Sequence, residues 1–264
     1  MRRPAWTRFA ILFLTGLTAP VLAPAAEFPD KNLETAVRAS LHLEPKAELN
    51  DDALKNLYVL EAAGRDIQNL TGLEACPNLS LIKLSKNKIS DLAPLKDLKN
   101  LQSLDLSGNQ IEDLGPLSDL TGLQYLALAD NKVRKLDALS NLEALSALEL
   151  DGNQIEDLGP LRSLKRLASL YLSRNQVRDL APLAEVDRLS TLNLSDNKVE
   201  DLSPLSSQKD LRLIVLDHNQ IHDLAPLVSW AQADAEGAKR VAPFLRLYLR
   251  DNPLSDKAKN DQVS

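Results

Sequence analysis

Leucine and other apolar residues recur along this chain with a fixed period of 22 residues. Eight consecutive units begin at Leu57, Leu79, Leu101, Leu123, Leu145, Leu167, Leu189 and Leu211, with the frame L-x-x-L-x-L-x-x-N-x-[IV]-x-x-L-x-P-L-x-x-L-x-x. The first unit is degenerate, with Ala62 at an apolar position and Arg65 in place of Asn. A ninth, partial unit starts at Phe244, which stands where other units have Leu. A fixed interval of this length indicates structural units that stack on one another.

The order of residues within a unit predicts one coil of such a stack. Before the Asn, apolar and variable residues alternate, which predicts a short strand with leucines on one face. The Pro that follows cannot continue the strand because it lacks an amide donor. An Asp usually stands three residues before that Pro, where its carboxylate can accept from the exposed amides of a tight helical turn. Coils of this kind bury their leucines only by stacking.

Asparagine recurs at the ninth position of the frame. The residues concerned are Asn87, Asn109, Asn131, Asn153, Asn175, Asn197 and Asn219. A side-chain amide offers both donors and an acceptor at the point where the strand turns away from the sheet. Turn backbone groups buried between coils need partners. We therefore predict a structural ladder of asparagines and not a row of catalytic residues.

Segments that depart from the frame flank the repeats. Residues 26–56 contain two amphipathic stretches, preceded by Asp30 and Asn50, that predict a helical N-terminal cap. The eight repeats occupy residues 57–232. Residues 233–264 hold an inserted helix, the final partial repeat and a C-terminal cap; the Ala-rich, charged stretch Q-A-D-A-E-G-A-K-R-V-A-P predicts that the helix lies on the back of the solenoid.

The N-terminus has the pattern of a secretory signal peptide. Basic residues precede an apolar run and then small residues, and cleavage after Ala25 is predicted. The alternative is a membrane anchor, but the run is shorter than the about 20 apolar residues that span a bilayer. We expect an exported chain, secreted or periplasmic, without a membrane span once residues 1–25 are removed. That removal takes away three arginines and no acid, so the net charge goes from −6 to −9, which argues against nucleic acid as a partner.

Cys76 is the only cysteine, so no intrachain disulfide can form. Leu98 and Leu120 stand at the equivalent position of their units. We therefore predict that Cys76 replaces a buried leucine. A reactive thiol or an intermolecular bridge is the alternative.

The L-x-L-x-x-N-x-I-x-D-L-x-P-L-x-x-L-x-x-L units across 79–232, the helical segment before them and the closing L-R-L-Y-L-R-D-N-P-L-S together resemble one family. They look like the leucine-rich repeat proteins, specifically the 22-residue class of the bacterial internalins. The resemblance implies an α/β solenoid: a curved leucine-rich repeat stack with a parallel sheet on the concave face and short 3-10 or helical turns on the convex face. It also implies binding, usually to another protein, through the concave face.

Candidate catalytic and metal-binding groups are few. His218 and His222 lie in the stretch D-H-N-Q-I-H-D, where such spacing could bind zinc on a helix, but the frame places this segment on a turn. Paired acids such as Glu112 and Asp113 are adjacent in sequence, unlike the carboxylates that face each other in a glycosidase. No nucleophile motif or phosphate-binding loop is present. We assign no catalytic residue, no metal and no cofactor, and predict that the protein is not an enzyme.

The variable positions of the strands form the predicted binding surface. The third and fifth positions of each unit face away from the core, and the eighth lies at the adjoining turn. Three of the four tyrosines, Tyr125, Tyr171 and Tyr248, fall on these positions, and tyrosine is enriched where proteins bind partners. The predicted partner-binding residues on the concave face are Tyr125, Glu149, Asp151, Tyr171, Arg174, Asn193, Asp196 and His218.

The sequence therefore predicts a monomeric, exported module that binds a protein with basic and apolar features. One alternative is a structural or self-associating envelope protein, which would use the convex side or an open end of the stack. The other alternative is a hydrolase with an unrecognised site, which no motif in the sequence supports.

Overall fold

Nine short strands stack in chain order into one parallel sheet in the computed structural model, which describes residues 27–44, 46–240 and 244–262. The strands are β1 (Val59–Glu61), β2 (Leu81–Lys83), β3 (Ser103–Asp105), β4 (Tyr125–Ala127), β5 (Ala147–Glu149), β6 (Ser169–Tyr171), β7 (Thr191–Asn193), β8 (Leu213–Val215) and β9 (Arg246–Tyr248). Corresponding residues of successive coils pair, so Leu104 lies beside Leu126 and Leu126 beside Leu148. The predicted solenoid is confirmed. The signal peptide predicted for residues 1–25 lies outside the described residues.

Short 3-10 turns form the side of the stack opposite the sheet. They span Leu73–Ala75, Ala93–Leu95, Gly115–Leu117, Asp137–Leu139, Gly159–Ser163, Ala181–Glu185 and Ser203–Ser207. In six coils an Asp carboxylate accepts from the amide two residues later. Asp113, for example, accepts from Gly115 at 2.8 Å. Pro116 follows at the second residue of that turn, where a missing amide proton leaves no hydrogen bond unmade.

Leucines at the apolar frame positions form one continuous core along the stack. Leu104, Leu126 and Leu148 on consecutive strands each have an exposed fraction of 0%. Cys76 is buried to the same degree within this core. Full burial of one leucine stabilises a fold by roughly 1.5–3 kcal/mol. Because each coil repeats this burial, stacking of neighbours is the main source of stability.

Asparagine side chains tie each coil to the one before it. Asn131 Nδ2 donates to the Leu128 carbonyl of its own coil and to the Leu106 carbonyl of the preceding coil, both at 3.0 Å. Its Oδ1 accepts from the Ile111 amide at 3.0 Å. The same three bonds recur at Asn87, Asn109, Asn153, Asn175, Asn197 and Asn219. Asn252 extends the ladder into the ninth coil.

Two helices, α1 (Lys31–Ser40) and α2 (Asp51–Leu54), lie at the N-terminal end of the stack. Asp30 caps α1 through Oδ1, which accepts from the amides of Asn32 and Leu33. Its Oδ2 accepts from the amides of Gln68 and Asn69 in the first coil. Partial burial alone would raise the pKa of Asp30, but these four amides outweigh it and lower the pKa. One carboxylate therefore fastens the helical segment to the repeats.

The inserted helix begins earlier than the sequence predicts. Helix α3 spans Ala225–Glu236 and takes the place of the 3-10 turn in the eighth coil, so the predicted boundary at residue 232 falls inside it. Pro226 stands in its first turn, which suits either kind of helix because no amide proton is needed there. Trp230, at a leucine position of the frame, is 8% exposed and donates Nε1 to the Gln208 carbonyl at 2.9 Å. Burial of this ring favours continuation of the turn as an α-helix.

Gln208 is a polar residue at a core position that holds leucine in other coils. It is buried, and its Nε2 donates to the Leu183 carbonyl at 2.7 Å. Its Oε1 is the one buried side-chain oxygen or nitrogen atom without a hydrogen-bond partner in the part of the chain that the structure describes. An unpartnered buried acceptor costs free energy.

The strand of the ninth coil is less buried than that of the eighth coil. Leu247 and Leu249 are half-buried, whereas the equivalent Ile214 and Leu216 of the eighth coil are fully buried. Phe244 is 59% exposed although it stands at a frame position that is buried in other coils. A π-helical turn, Ala258–Gln262, follows this coil. Within the described ranges, no helix has the length and apolar character needed to cross a membrane.

Candidate binding surface on the concave face

The concave face is defined here by the outward side chains of β1–β9, at the third and fifth positions of each unit. Its centre lies on β4, β5 and β6, where two tyrosines project on either side of a glutamate. Tyr125 is on β4, Glu149 on β5 and Tyr171 on β6. Glu149 pairs directly with Tyr171 in the strand register. The predicted residues Tyr125, Glu149 and Tyr171 therefore form one contiguous group, called the central patch below.

A hydrogen bond fixes the geometry of the central patch. The Tyr125 hydroxyl donates to Glu149 Oε1 at 3.0 Å. Burial raises the pKa of Tyr125, and the negative charges of Glu149 and Asp105 raise it further. The phenol is consequently a neutral donor at physiological pH. It holds the carboxylate in place beside the two rings.

Small side chains lie beside the central patch in the sheet. Ala147 lies beside Tyr125 in the strand register, and Ala127 lies beside Glu149. Ala127 is 1% exposed despite its outward position, so larger neighbouring side chains cover its methyl group. A ligand at this surface would therefore contact the tyrosine rings and the Glu149 carboxylate and not the backbone of the sheet.

Two other predicted residues of the concave face have side-chain oxygens that the protein already uses. Asp151 Oδ1 accepts from the Ser173 amide at 2.7 Å and from the Ser173 hydroxyl at 2.5 Å. Asn193 Oδ1 accepts from the amide and the hydroxyl of Ser195, at 3.1 and 2.9 Å. These side chains are held rigidly along the rim.

The eighth position of the frame has a left-handed backbone in every complete coil. Lys86, Asp130, Arg174, Asp196 and His218 have φ between 54° and 56°. This conformation is costly for residues other than glycine, asparagine and aspartate. It occurs where the chain leaves the strand, and it turns the side chains of this row toward one another along the stack.

Arg174 forms an ion pair across an intervening coil. Its guanidinium lies 2.9 Å from Asp130 Oδ1, two coils away. Between them is Gly152, with φ of 66°; a Cβ added there would lie 2.3 Å from Asp130 Oδ1. Because Gly152 has no side chain, the Arg174 guanidinium and the Asp130 carboxylate can meet across it. Arg174 thus borders the central patch as a paired cation, with its charge offset by Asp130.

His218 lies between two carboxylates of the same row. Its Nδ1 is 3.3 Å from Asp196 and its Nε2 is 2.9 Å from Asp251. Because the two ring nitrogens face different acids, His218 links three consecutive coils and the carboxylates do not converge on one point. In the described residues no group of three or more His, Cys, Asp or Glu side chains is arranged to hold a metal. Asp196 and His218 lie toward the C-terminal end, apart from the central patch.

The structure adds residues to the predicted site. Asp105 on β3 is at a fifth position of the frame, which predicts that it faces outward, and its negative charge contributes to raising the pKa of Tyr125. Arg246 and Arg250 in the ninth coil lie on the outward side of the sheet and are exposed. The position of these two arginines in the ninth coil depends on the spacing of 33 residues between Asn219 and Asn252, which the 22-residue frame does not describe.

Comparisons with known proteins agree with this architecture. The sequence family "Leucine Rich repeats" matches in two copies, at residues 99–142 and 143–185. The chain is similar to the crystal structure of internalin C2 from Listeria monocytogenes, with 31% identity, a TM-score of 0.75, and coverage of 84% of this chain and 94% of that one. It is also similar to the internalin InlF of the same species, with 26% identity, a TM-score of 0.70, and coverage of 87% and 71%.

A more distant likeness concerns the fold alone. A leucine-rich repeat protein of Leptospira interrogans is 22% identical, with a TM-score of 0.55 and coverage of 78% of this chain and 70% of that one. No curated protein sequence matches the chain significantly. Each of the two similarities to a Listeria structure covers more than four fifths of this chain.

Proposed function

Because the chain belongs to the leucine-rich repeat family, in its internalin-like class, we propose that it is an exported, non-enzymatic module that recognises another protein through its concave face. Repeat solenoids present extended surfaces of this kind because stacked coils hold many outward side chains in fixed rows. The site of recognition is the central patch of Tyr125, Glu149 and Tyr171. Asp151 and Arg174 border it, and Asn193, Asp196 and His218 extend it toward the C-terminal end.

The observation that supports this most directly is the Tyr125–Glu149 hydrogen bond at 3.0 Å, with Tyr171 on the adjacent strand. Aromatic residues make up only 4% of this chain, yet two lie within two strands of each other on this surface. A tyrosine that is already fixed loses little entropy on binding. Its ring also buries a large apolar area, which is why tyrosine contributes strongly at interfaces.

The charge of the central patch indicates the chemistry of the partner. Glu149 and Asp105 carry negative charge near the Tyr125 ring, while Arg174 is paired with Asp130. A lysine or arginine side chain could stack on a tyrosine ring and approach the Glu149 carboxylate at the same time. We therefore propose a protein partner that presents a basic side chain next to apolar groups.

Export rests on the N-terminal sequence pattern, with cleavage after Ala25. The mature module is proposed to be secreted or periplasmic, and monomeric in the absence of its partner. N-terminal sequencing of protein recovered from the outside of the cell tests the cleavage site. Recovery of the uncleaved chain in the cytoplasm would contradict export.

The test of the binding surface is an affinity capture with the double variant Tyr125→Ala/Tyr171→Ala beside the wild type. The matched control is Lys96→Ala/Asp119→Ala, which removes two exposed side chains from the opposite side of the stack. We expect partners identified by mass spectrometry to be lost with the tyrosine variant and kept with the control. Circular dichroism establishes that both variants are folded. A folded tyrosine variant that keeps the same partners would show that the site lies elsewhere.

Light scattering after size-exclusion chromatography separates this proposal from a self-associating structural protein. A binding module is expected to elute as a monomer over a wide concentration range. A concentration-dependent increase in mass that survives Tyr125→Ala/Tyr171→Ala would favour assembly through another surface.

A further inference from the structure

The C-terminal end of the sheet differs from its centre in charge. We define the C-terminal corner by Arg212, Val215, Phe244, Arg246, Tyr248 and Arg250. Its three arginines are exposed, and none forms an ion pair within the described part of the chain. Of the other described arginines, Arg38, Arg162, Arg174, Arg178 and Arg240 each lie within 4.0 Å of a carboxylate. Arg65, Arg134, Arg166 and Arg188 form no ion pair with a described residue either, but they belong to four different coils. The C-terminal corner thus brings three unpaired arginines together in two successive coils of a chain whose net charge is −6.

The C-terminal corner also exposes aromatic surface. Phe244 is 59% exposed and Tyr248 is 49% exposed. The Arg212 guanidinium lies 5.8 Å from the centre of the Phe244 ring, a cation–π arrangement that holds both groups on the surface. Exposed aromatics beside arginines have the composition of interface hot spots.

The outer edge of β9 has no neighbouring strand among the described residues. On its inner edge the Arg246 amide donates to Arg212, and the Tyr248 carbonyl accepts from Leu216. In a parallel ladder the alternate residue Leu247 then directs its amide and carbonyl to the open edge. An edge of this kind is a template for another extended chain.

The side chains of β9 specify what that chain would be. Arg246, Tyr248 and Arg250 stand on the outward side and are exposed, whereas Leu247 and Leu249 stand on the core side and are half-buried. A strand added at the edge would place one set of alternate side chains beside the arginines. The other set would pack against the half-buried Leu247 and Leu249.

We propose that the C-terminal corner binds an extended segment of a partner protein in which acidic and apolar residues alternate, as a strand added to the nine-stranded sheet. The acidic side chains meet Arg246 and Arg250, the apolar side chains cover Leu247 and Leu249, and the backbone pairs with Leu247. This surface lies on β8 and β9, apart from the central patch on β4–β6, and does not depend on it.

Two other occupants fit less well. A second copy paired edge to edge would bring the three arginines of each copy to one seam, where like charges repel. A polyanion such as a sulfated glycan would neutralise the arginines but leave the leucines and the open backbone uncovered. An alternating acidic peptide satisfies all three features together.

The experiment measures fluorescence anisotropy of a labelled peptide of alternating valine and glutamate, roughly six residues long, the usual length of a strand. A valine–lysine peptide of the same length and a valine–glutamate peptide with N-methylated alternate amides serve as probe controls. We expect binding of the first peptide and a loss of about tenfold or more in affinity for each of the other two, because charge and backbone pairing both contribute.

The protein variant Arg246→Glu/Arg250→Glu should reverse the preference, so that the lysine peptide binds and the glutamate peptide does not. The matched control is Lys83→Glu/Lys86→Glu, which makes the same charge change at the other end of the sheet and should leave the glutamate peptide bound. Tyr125→Ala/Tyr171→Ala should also keep it bound, so failure here is distinguishable from failure of the central patch.

Several results would overturn the proposal. These are equal binding of both peptides, binding unaffected by Arg246→Glu/Arg250→Glu, and full binding of the N-methylated peptide. Dextran sulfate is included as a second ligand. If it binds in an arginine-dependent manner while the glutamate peptide does not bind, the surface is one for polyanions and not for a peptide strand.

Discussion

Replacing Asn131 by alanine should lower the free energy of unfolding by about 1–3 kcal/mol, the cost of leaving a buried backbone group without a partner. Four backbone groups contact this side chain: the carbonyls of Leu106, Leu128 and Ala129 and the amide of Ile111. The size of the loss depends on which of them has a second partner. Asn131 itself is 8% exposed, so water reaches these groups poorly.

Two of the three carbonyls are shared between ladder residues, and the third, that of Ala129, also accepts from the Gly108 amide. Leu106 also accepts from Asn109 at 2.9 Å, and Leu128 also accepts from Asn153 at 2.9 Å. Each carbonyl therefore keeps one bond in the alanine variant. The Ile111 amide keeps none in the described structure, since Asn131 Oδ1 is its acceptor. The expected loss is that of one orphaned amide and not of four backbone groups.

Chemical unfolding followed by circular dichroism measures the effect as a shift in the transition midpoint, which is robust if a repeat protein unfolds in more than one step. Lys132→Ala is the matched control, because Lys132 is the next residue, is exposed, and is 3.9 Å from Glu112; it should change stability by less than about 0.5 kcal/mol. Asn131→Asp keeps the acceptor for the Ile111 amide but places an oxygen against the three carbonyl oxygens that Nδ2 contacts, so it should also destabilise. Equal midpoints for both alanine variants and the wild type would refute this account.

Gln208→Leu should stabilise the protein by about 1 kcal/mol or more and so raise its melting temperature, because it removes the unpartnered Oε1. The Leu183 carbonyl still accepts from the Val186 amide in this variant. A lower midpoint in thermal unfolding would contradict this prediction. Cys76 should react slowly with a thiol reagent in the native protein and quickly in denaturant, since burial raises its pKa to about 12; fast native labelling would show a surface thiol. Asp30→Ala should destabilise the protein by about 0.5–2 kcal/mol at neutral pH, because four backbone amides lose the carboxylate that accepts from them. The folded-state pKa of Asp30 lies below its ordinary value of 3.8. The difference in stability between the wild type and the variant should therefore be full above about pH 5 and decrease as the pH falls below about 5. A difference that stays constant through an acid titration would argue against the four amide contacts.

The repeating part of the fold could be predicted from sequence because its backbone environment repeats. Each ladder asparagine meets the same carbonyls and amide as its neighbours, so one residue type is required at every step of 22. The outward direction of Tyr125 and Tyr171 follows from strand alternation alone. Their contact with a shared glutamate follows from the register, which the frame fixes.

Features that occur in a single coil, and do not follow from the repeated frame, could not be predicted from the sequence. Pro226 is compatible with a 3-10 turn or an α-helix. Burial of Trp230 favours the α-helix, and no local sequence pattern predicts that burial. Phe244 occupies a leucine position but has no later coil in the described residues to cover it, and is exposed. The Asp130–Arg174 pair requires side chains to reach across Gly152, which is a matter of rotamers.

The sharing of each carbonyl between two ladder asparagines has an evolutionary consequence. Because every internal coil meets its neighbours through the same bonds, recombination could delete or duplicate a 22-residue coil without creating a new interface. The near-identity of the stretches beginning at Leu104 and Leu148 shows how little two coils need to differ. Deleting residues 145–166 would rejoin equivalent positions and place Tyr125 and Tyr171 on adjacent strands. Gene-level gain and loss of coils can thus retune the distance between contact groups in steps of about 4.8 Å and leave the core interface unaltered.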